Sequence, residues 1–327
     1  MINLSIIIVC YRGWARLTKC LEALNSFTGK NFTTEVIVVD NRSDDDTIFK
    51  IEKQFPGFRF IYNNINGGFA NGCNKGARNS NGEFLLFLNP DTVASESEVE
   101  KLLNNAKQKS DDEILSCRQV NEKGKESIAF GQFPHFFNLT GFQRSVAKLL
   151  KSVIYTEDYD NDIIRFPDWV SGSVIMMTRE VFGKLGGFDE DFWMYFEDVD
   201  LCRRAKNIGV KAKYYNNITI EHNHGGSSRV SIKTTATTKT EVHMSRHIYI
   251  SKHTQGFEKI ITQTFLISNN LISGLLMALI GLVFFFMPKL FIRALIYLRL
   301  IRYYIISLLR KSWISKRSVN FLKSHAG

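Results

Sequence analysis

The sequence predicts an α/β protein built on a doubly wound, mostly parallel sheet. Short apolar runs alternate with longer amphipathic stretches through the first 120 residues, as is typical of parallel strands joined by helices. Several of these runs end in acidic or amide side chains. Open parallel sheets bind ligands at the carboxyl ends of their strands, where the strand order reverses. We therefore expect a binding site at this edge.

Each element follows from its local pattern. The run EVIVVD is continuously apolar and β-branched, which predicts a buried strand, and Leu17, Leu21 and Leu24 recur at helical spacing. Gly186 and Gly209 mark the ends of two later helices. The predicted strands are 5–10, 35–40, 58–62, 83–88, 170–177 and 218–222, and the predicted helices are 15–27, one from about 46, 70–79, 179–185 and 197–207.

Composition narrows the class of protein. The chain has 327 residues, of which 44% are hydrophobic and 23% charged, enough for one large domain or two modest ones with true cores. This excludes a disordered chain, a collagen-like fibre and a small disulfide scaffold. The five cysteines are scattered and form no CxxC pair. We expect reduced, buried thiols rather than a zinc site or a disulfide framework.

The positive charge is concentrated at the C-terminus. Residues 255–327 contain ten Lys or Arg and one acid, Glu258, so they carry +9 of the net +10. A nucleic-acid binder carries its basic charge on the domain that contacts the polymer, so we do not expect a nucleic-acid partner. A near-neutral domain followed by a basic, apolar tail predicts contact with an anionic membrane surface.

A long uncharged segment supports this interpretation. The 29 residues between Lys259 and Lys289 contain no charge, and 271–287 would span about 25 Å as a helix, the short limit for a bilayer crossing. A basic amphipathic helix follows Pro288. A single crossing would place this basic segment outside, against the positive-inside rule. We favour a re-entrant or in-plane hairpin over a single span at 264–287, with a buried helix plus a surface helix as the alternative.

The N-terminal run 4–9 is apolar but has neither a basic leader nor a small-residue cleavage site. It is better explained as a buried strand. We therefore expect the folded domain to act in the cytoplasm.

Polar side chains follow three predicted strands. Asp40, Asn41 and Ser43 come after the second strand, Asn66 and Gly68 follow the third, and Asn89 and Asp91 follow the fourth. Helix capping is the ordinary explanation for any one of them. Three such ends on one edge predict a shared site.

Two further segments carry candidate chemistry. Glu197 and Asp198 fall in the first turn of a helix, where the helix dipole favours carboxylates, directly after an aromatic run that contains Trp193 and Tyr195. Solvated N-terminal acids are the alternative. Farther on, His222 and His224 flank an asparagine before Gly-Gly and could bind a metal or a phosphate. Without the Glu of an HExxH motif, His243 and His247 are expected to lie on the surface.

Seven segments, taken in order, resemble those of a known family. They are SIIIVCYRGWARLTKCLEAL, VIVVDNRSDDDT, NGGFANGCNKGAR, FLLFLNPDT, WVSGSVIMMTR, GGFDEDFWMYFEDVDLCRRAKNIGVK and the stretch that begins at His222. The chain resembles the family 2 glycosyltransferases with a GT-A fold, and within them the rhamnosyltransferase-like enzymes of bacterial polysaccharide assembly. The resemblance covers residues 3 to 255. It implies a transferase domain at 1–255 and membrane-associating helices at 256–327.

The resemblance implies sugar transfer from a nucleoside-diphosphate donor with inversion at the anomeric carbon. Asp198 matches the general base, with Glu197 beside it, and Asp40 matches the acid that contacts the donor's base or ribose. Asp91 matches the last acid of the DxD metal motif, whose first acid is replaced here by Asn89. His222, with His224 as the alternative, matches a histidine that helps to hold metal or diphosphate.

The chemistry of the reaction asks for the same residue types. Mg²⁺ or Mn²⁺ on oxygen ligands would neutralise a leaving diphosphate, and a carboxylate on the opposite face would deprotonate the acceptor. Backbone in the Gly- and Asn-rich segment 66–74 could approach the donor closely. The remaining predicted site residues are Asn41, Ser43, Asn66, Gly68, Asn74 and Asn89 for the donor and Trp193 and Tyr195 for the acceptor.

The same resemblance suggests the partners. dTDP-rhamnose is the favoured donor, with UDP- and GDP-sugars open, and a polyprenyl-diphosphate-linked glycan at the cytoplasmic face of the bacterial inner membrane is the expected acceptor. Two alternatives remain. One is an inactive, membrane-docked scaffold with a transferase fold. The other is a sugar-1-phosphate nucleotidyltransferase, which would need a Gly-rich basic loop at residues 10–14, where this chain has CYRGW.

Overall fold

A computed structural model describes residues 2–108, 112–140, 143, 163–223 and 231–324. Strands and helices alternate through the first half of the chain, and helices follow one another after residue 231. The strands are β1 (Leu4–Cys10), β2 (Thr34–Asp40), β3 (Arg59–Tyr62), β4 (Phe84–Leu88), β5 (Thr92–Val93), β6 (Glu113–Val120), β7 (Phe130–Gly131), β8 (Ile164–Arg165), β9 (Trp169–Val170), β10 (Val174–Thr178) and β11 (Lys211–His222). The helices are α1 (Trp14–Asn25), α2 (Thr47–Gln54), α3 (Gly68–Arg78), α4 (Glu96–Lys107), α5 (Arg179–Lys184), α6 (Glu197–Asn207), α7 (Ile232–His253), α8 (Gly256–Val283), α9 (Pro288–Arg310) and α10 (Val319–Ser324).

The central sheet has the strand order β3-β2-β1-β4-β10-β6-β11-β5, with β8 also beside β11. Strands β1, β2, β3 and β4 are parallel, whereas β10 runs antiparallel between β4 and β6. The predicted doubly wound, mostly parallel sheet is confirmed. The strand order reverses at β1, which lies between β2 and β4, so the carboxyl ends of these strands form the edge where a ligand is expected.

The sheet is covered on both faces. Alternate residues of β1 point to opposite sides, so Ile6 and Ile8 join one buried apolar cluster and Ile7 and Val9 join the other. The five cysteines are buried free thiols, as predicted.

The predicted helix 70–79 begins two residues earlier, at Gly68, so most of the segment 66–74 is helical. Its glycines allow close packing of this helix on the sheet. A Cβ atom at Gly72 would lie 2.4 Å from Val9 Cγ1, and one at Gly76 would lie 2.4 Å from Ile7 Cγ2. These two glycines therefore serve the contact between helix and sheet rather than a ligand.

The predicted strand 170–177 is divided in two. Residues 171–173 form a turn between β9 and β10, and the two strands pair with different sheets. Strand β11 is longer than predicted and begins at Lys211. Helix α6 covers 197–207 as predicted, with Val199, Leu201 and Cys202 buried.

The prediction that His247 is a surface residue was wrong, and His243 is only partly exposed. His247 is fully buried and contacts Gln263 and Tyr304, while His243 Nδ1 lies 3.1 Å from Asn270 Oδ1. Burial lowers the pKa of each histidine to about 4. Their polar partners belong to α8 and α9, so the burial cannot be predicted from the local sequence of α7.

The C-terminal helices pack on one another and against α7. Within the described residues, α8 is the one helix long and apolar enough to cross a membrane, by length and composition alone. Only 22% of its most apolar window is buried against protein. The chain then returns to the sheet domain, where Asn320 Nδ2 donates to Asp191 Oδ1 at 3.0 Å.

Candidate active site

A cavity of about 370 Å³ opens at the carboxyl edge of the sheet. Its wall combines the ends of β1, β4 and β11, the turn 171–173, the start of α6 and one face of α7. Nine predicted site residues line it: Asn41, Asn66, Asn89, Asp91, Trp193, Tyr195, Glu197, Asp198 and His222. The strand ends and the helix start, which lie far apart in sequence, thus meet in one cavity.

Asp91 and His222 form one end of this cavity. His222 Nε2 lies 3.2 Å from Asp91 Oδ1 and 3.4 Å from Asn89 Nδ2. Strand pairing brings them together, because His222 at the end of β11 is in register with Thr92 of β5. Arg16 of α1 also approaches this acid, with Nη1 3.6 Å from Asp91 Oδ2.

Gln119 sets the orientation of the His222 ring. His222 Nδ1 lies 2.8 Å from Gln119 Oε1, and an amide oxygen only accepts hydrogen bonds. Nδ1 therefore donates to Gln119, which turns Nε2 toward Asp91. Ser173 Oγ donates to the same Gln119 oxygen at 2.7 Å, which fixes the amide.

These contacts fit a divalent cation. An imidazole nitrogen and a carboxylate oxygen converge at 3.2 Å, and both are atom types that bind divalent cations. Within the described ranges, no group of three or more His, Cys, Asp or Glu side chains is placed to hold a metal. Asp91 and His222 would therefore supply two ligands, and the other positions would fall to water and to oxygens of a bound diphosphate.

Asp198 is held by two backbone N–H groups. Its Oδ2 accepts from Gly172 N at 2.8 Å and its Oδ1 from Val199 N at 2.8 Å. Gly172 is in tight contact with it, since a Cβ there would lie 3.4 Å from Asp198 Cβ and 3.2 Å from Phe69. Burial raises the pKa of Asp198 above its ordinary value, while these hydrogen bonds oppose the shift.

Glu197 is more deeply buried than its neighbour. Its Oε2 has no hydrogen-bond partner within the described residues. Burial, and then the charge of Asp198, raise the pKa of Glu197 well above its ordinary value. Two adjacent carboxyl groups with different environments take different roles. The two backbone hydrogen bonds stabilise the charged form of Asp198, whereas Glu197 has an unpartnered oxygen and its pKa is raised further.

Backbone strain directly precedes this pair. Tyr195 and Phe196 both have positive φ, at 70° and 68°, where non-glycine residues are rarely found. Such strain is typically retained at functional sites. It turns the chain sharply into α6 and leaves Tyr195 exposed at the cavity while Trp193 stays buried.

Asp40 and Ser43 lie behind the cavity wall rather than in it. Asp40 accepts hydrogen bonds from the backbone N–H and the hydroxyl of Ser43, which closes a turn after β2. Asn41 then points into the cavity and donates from Nδ2 to Gly68 O at 2.8 Å. Asp40 and Ser43 therefore shape the turn behind the wall, and Asn41 is the one of the three that reaches the cavity.

Gly68 and Asn74 do not line the cavity, contrary to the prediction of donor contacts. A Cβ at Gly68 would lie 1.8 Å from Trp193 O, so this glycine permits contact between two backbones. Asn74 binds Phe188 instead, donating to its O at 2.8 Å and accepting from its N at 2.9 Å. Trp193 donates from Nε1 to Asn66 O at 3.0 Å, and its ring forms wall rather than an open stacking surface.

Several lining residues were missed, and one candidate lies outside the described residues. Thr234 and Thr238 of α7 and the turn 171–173 line the cavity, with Gln119 behind it. Thr234 and Thr238 are one helical turn apart and so share a face of α7. This spacing was the sequence signal that could have identified them. His224 falls in a part of the chain that the structure does not describe.

Comparison with known proteins identifies the family. The model described as "Glycosyl transferase family 2" matches residues 5–186, more than half of the chain. The chain belongs to glycosyltransferase family 2. A second model, described as the N-terminal domain of galactosyltransferase, matches residues 163–225, which contain Asp198 and His222. The protein is therefore a glycosyltransferase. This finding favours an active transferase over the nucleotidyltransferase and the inactive scaffold.

Individual relatives are rhamnosyltransferases. The chain is 23% identical over 269 residues to an N-acetylglucosaminyl-diphospho-decaprenol L-rhamnosyltransferase of Mycobacterium tuberculosis, covering 78% of this chain and 86% of the relative. It is 26% identical over 220 residues to the rhamnosyltransferase WbbL of Escherichia coli, covering 64% and 79%. The resemblance to rhamnosyltransferase-like family members is thus confirmed.

A solved structure supports the fold. GalNAc-T7 with UDP, GalNAc and Mn²⁺ superposes with a TM-score of 0.53 at 15% identity. The superposition covers 77% of this chain and 50% of that one. The predicted GT-A fold is confirmed at this level.

Proposed function

We propose that this family 2 glycosyltransferase transfers a sugar, with rhamnose favoured, from a nucleoside-diphosphate donor to a lipid-linked glycan with inversion. The observation that carries the proposal is the composition of one cavity. It holds a backbone-anchored carboxylate, Asp198, together with a separate Asp91–His222 pair suited to a cation. A base and a diphosphate-binding centre are what an inverting transfer requires.

Asp198 is the proposed general base. Its carboxylate would take the proton of the acceptor hydroxyl as that oxygen attacks the anomeric carbon. The bond from this carbon to the donor phosphate breaks in the same step, and the electron pair leaves on the nucleoside diphosphate. The N–H groups of Gly172 and Val199 keep the carboxylate in place, and a positioned base contributes about 10²- to 10⁴-fold.

Asp91 and His222 would hold a divalent cation against the leaving diphosphate. A bound cation neutralises charge on the departing phosphate oxygens. Because one ligand is an imidazole nitrogen, the set favours Mn²⁺ over Mg²⁺, which prefers oxygen ligands. Asn89 and Asn41, which line the same cavity, would contribute neutral hydrogen bonds to the donor.

The names of the relatives support the choice of substrates. One relative is named for an N-acetylglucosaminyl-diphospho-decaprenol acceptor, and two are rhamnosyltransferases. For this chain we therefore propose dTDP-rhamnose as donor, with UDP- and GDP-sugars as alternatives, and a polyprenyl-diphosphate-linked glycan as acceptor. Residues 1–255 would form the transferase domain and 256–327 the part that associates with the membrane.

An exposed apolar face supports membrane association at the cytoplasmic surface. Large apolar side chains recur on α8 at spacings of three and four, so they share one face of the helix. A face of this size is unfavourable in water and suits the membrane interface. Lys289 and Arg293 lie in the first two turns of α9, where they would contact headgroup phosphates. We therefore favour a hairpin lying in the interface. The exposed residues are Ile272, Leu275, Leu276, Leu279, Leu282 and Val283 on α8, followed by Phe284, Phe285, Phe286 and Met287 directly after it.

The deciding experiment is a transfer assay on the full-length protein in detergent. It combines a prenyl-diphosphate-linked N-acetylglucosamine acceptor with dTDP-rhamnose, UDP-sugars or GDP-sugars, each with Mn²⁺ or with EDTA. Metal-dependent product from one donor supports the proposal and identifies the nucleotide. An absence of product with every donor would overturn it, provided that the protein melts cooperatively.

A further inference from the structure

Two arginines from the C-terminal part of the chain lie beside the cavity wall. Arg299 of α9 donates from Nη1 to Thr237 Oγ1 at 2.7 Å, and the adjacent Thr238 lines the cavity. Arg317 lies over the ring of Trp193, with its guanidinium carbon 5.3 Å from the ring centroid. Both cations therefore flank the wall that α7 and Trp193 form.

The arginines lie close enough to repel one another. Burial, and then the charge of Arg317, lower the pKa of Arg299. In the described part of the chain, the ion pair that involves this cluster joins Arg317 Nε to Glu241 at 3.6 Å. Burial raises the pKa of Glu241 to about 7, so this carboxyl compensates the two cations only in part at neutral pH. An anion bound between them would relieve the repulsion.

We propose that Arg299 and Arg317 bind the diphosphate of the lipid-linked acceptor. Guanidinium groups match phosphate oxygens with paired hydrogen bonds. The inference rests on the proposed function, in which the acceptor hydroxyl lies at Asp198. In an acceptor whose first sugar receives the transfer, the diphosphate lies one sugar ring away from that hydroxyl. Its charge therefore falls near the wall of the same cavity.

The position of α9 favours the acceptor over the donor as the source of this diphosphate. The donor's phosphates are assigned to Asp91 and His222, which belong to the sheet edge. Helix α9 instead packs along α8, whose exposed apolar face is the proposed membrane contact. A phosphate at Arg299 and a prenyl chain on α8 would thus belong to one amphipathic molecule.

The test compares two acceptors that differ only in charge. One is N-acetylglucosamine joined through a diphosphate to a phenoxyundecyl chain, and the other has the same sugar and chain without phosphates. Binding is measured in detergent without donor, so no turnover is needed. Arg299→Gln should weaken binding of the diphosphate acceptor by about 10- to 100-fold and leave the neutral acceptor unchanged. Arg299→Lys should restore part of the affinity, because it keeps the charge.

Arg302→Gln is the matched control, since it removes an exposed arginine from the same helix and should change neither affinity. Equal loss for both acceptors, or no loss for either, would overturn the proposal. If the true anion is a lipid headgroup, Arg299→Gln should instead float less with phosphatidylglycerol vesicles, while its affinities for both acceptors in detergent stay unchanged. This result too would overturn the proposal. Failure of the proposed function is distinct, because it appears as selective acceptor binding without transfer.

Discussion

Asp198 Oδ2 accepts a hydrogen bond from Gly172 N at 2.8 Å, joining the first turn of α6 to the turn between β9 and β10. These residues are 26 positions apart. The contact depends on the division of one apolar run into two short strands, which exposes the N–H of Gly172. It gives the candidate base a fixed direction while its neighbour Glu197 is left with an unpartnered oxygen in the described structure.

This difference predicts opposite results for two isosteric substitutions. Asp198→Asn should lower kcat by at least about 10²-fold, because an amide cannot accept the acceptor proton. Glu197→Gln should retain most activity, because a neutral amide resembles the protonated carboxyl that burial favours. Initial rates at saturating donor and acceptor measure both effects, with donor binding followed by thermal shift. If Glu197→Gln were the inactive variant and Asp198→Asn the active one, the assignment of the base would be reversed.

Gln119 is expected to act on the cation through His222. Gln119→Leu removes the acceptor that holds the proton on Nδ1, so the Mn²⁺ concentration for half-maximal activity should rise by about 10- to 100-fold. Gln119→Glu keeps an oxygen acceptor at the same place and should preserve a low Mn²⁺ requirement. A Mn²⁺ titration of the transfer rate measures this. A lower kcat at saturating Mn²⁺ with an unchanged titration midpoint would contradict a positioning role.

The edge of the sheet and the helix carrying Glu197 and Asp198 could be predicted from sequence because their signals are local. Apolar runs, terminal polar residues and the end of α6 near Gly209 lie within a few residues of the features that they define. Gln119 could not be found this way, since its partner His222 is 103 positions away. The burial of His247 depends on Gln263 and Tyr304 of other helices. Local periodicity contains no information about such partners.

Gly68 was predicted to be a donor-binding residue but has a structural role instead. Its φ of +83° and its contact with Trp193 O make it a packing residue. Gly68→Ala should lower the free energy of unfolding by at least about 2 kcal/mol, since both the conformation and the clash are unfavourable. Gly57→Ala is the control, because a Cβ there meets nothing within 4 Å, and it should stay within about 0.5 kcal/mol. Equal melting temperatures for the two variants would refute the packing role.

The carboxyl group of Glu241 should make stability depend on pH. Burial raises its pKa from 4.5 to about 7 in the folded chain, so the folded state binds more protons than the unfolded state within that window. Stability is therefore lost as the pH rises through it, by about 3 kcal/mol at 1.36 kcal/mol per pKa unit. Glu241→Gln should remove this loss and raise the melting temperature at pH 8 relative to the original protein.

His243 and His247 act in the opposite direction. Their pKa values are about 4 in the folded chain, so the unfolded chain binds more protons and stability falls as the pH drops below about 6.5. They are present in both proteins, so the difference in melting temperature between Glu241→Gln and the original chain isolates the carboxyl group. Thermal unfolding in detergent at pH 5, 6, 7 and 8 gives this difference. We expect it to grow in favour of the variant from pH 5 to pH 7 and to level off by pH 8, and a constant difference would show that Glu241 is already ionised at pH 5.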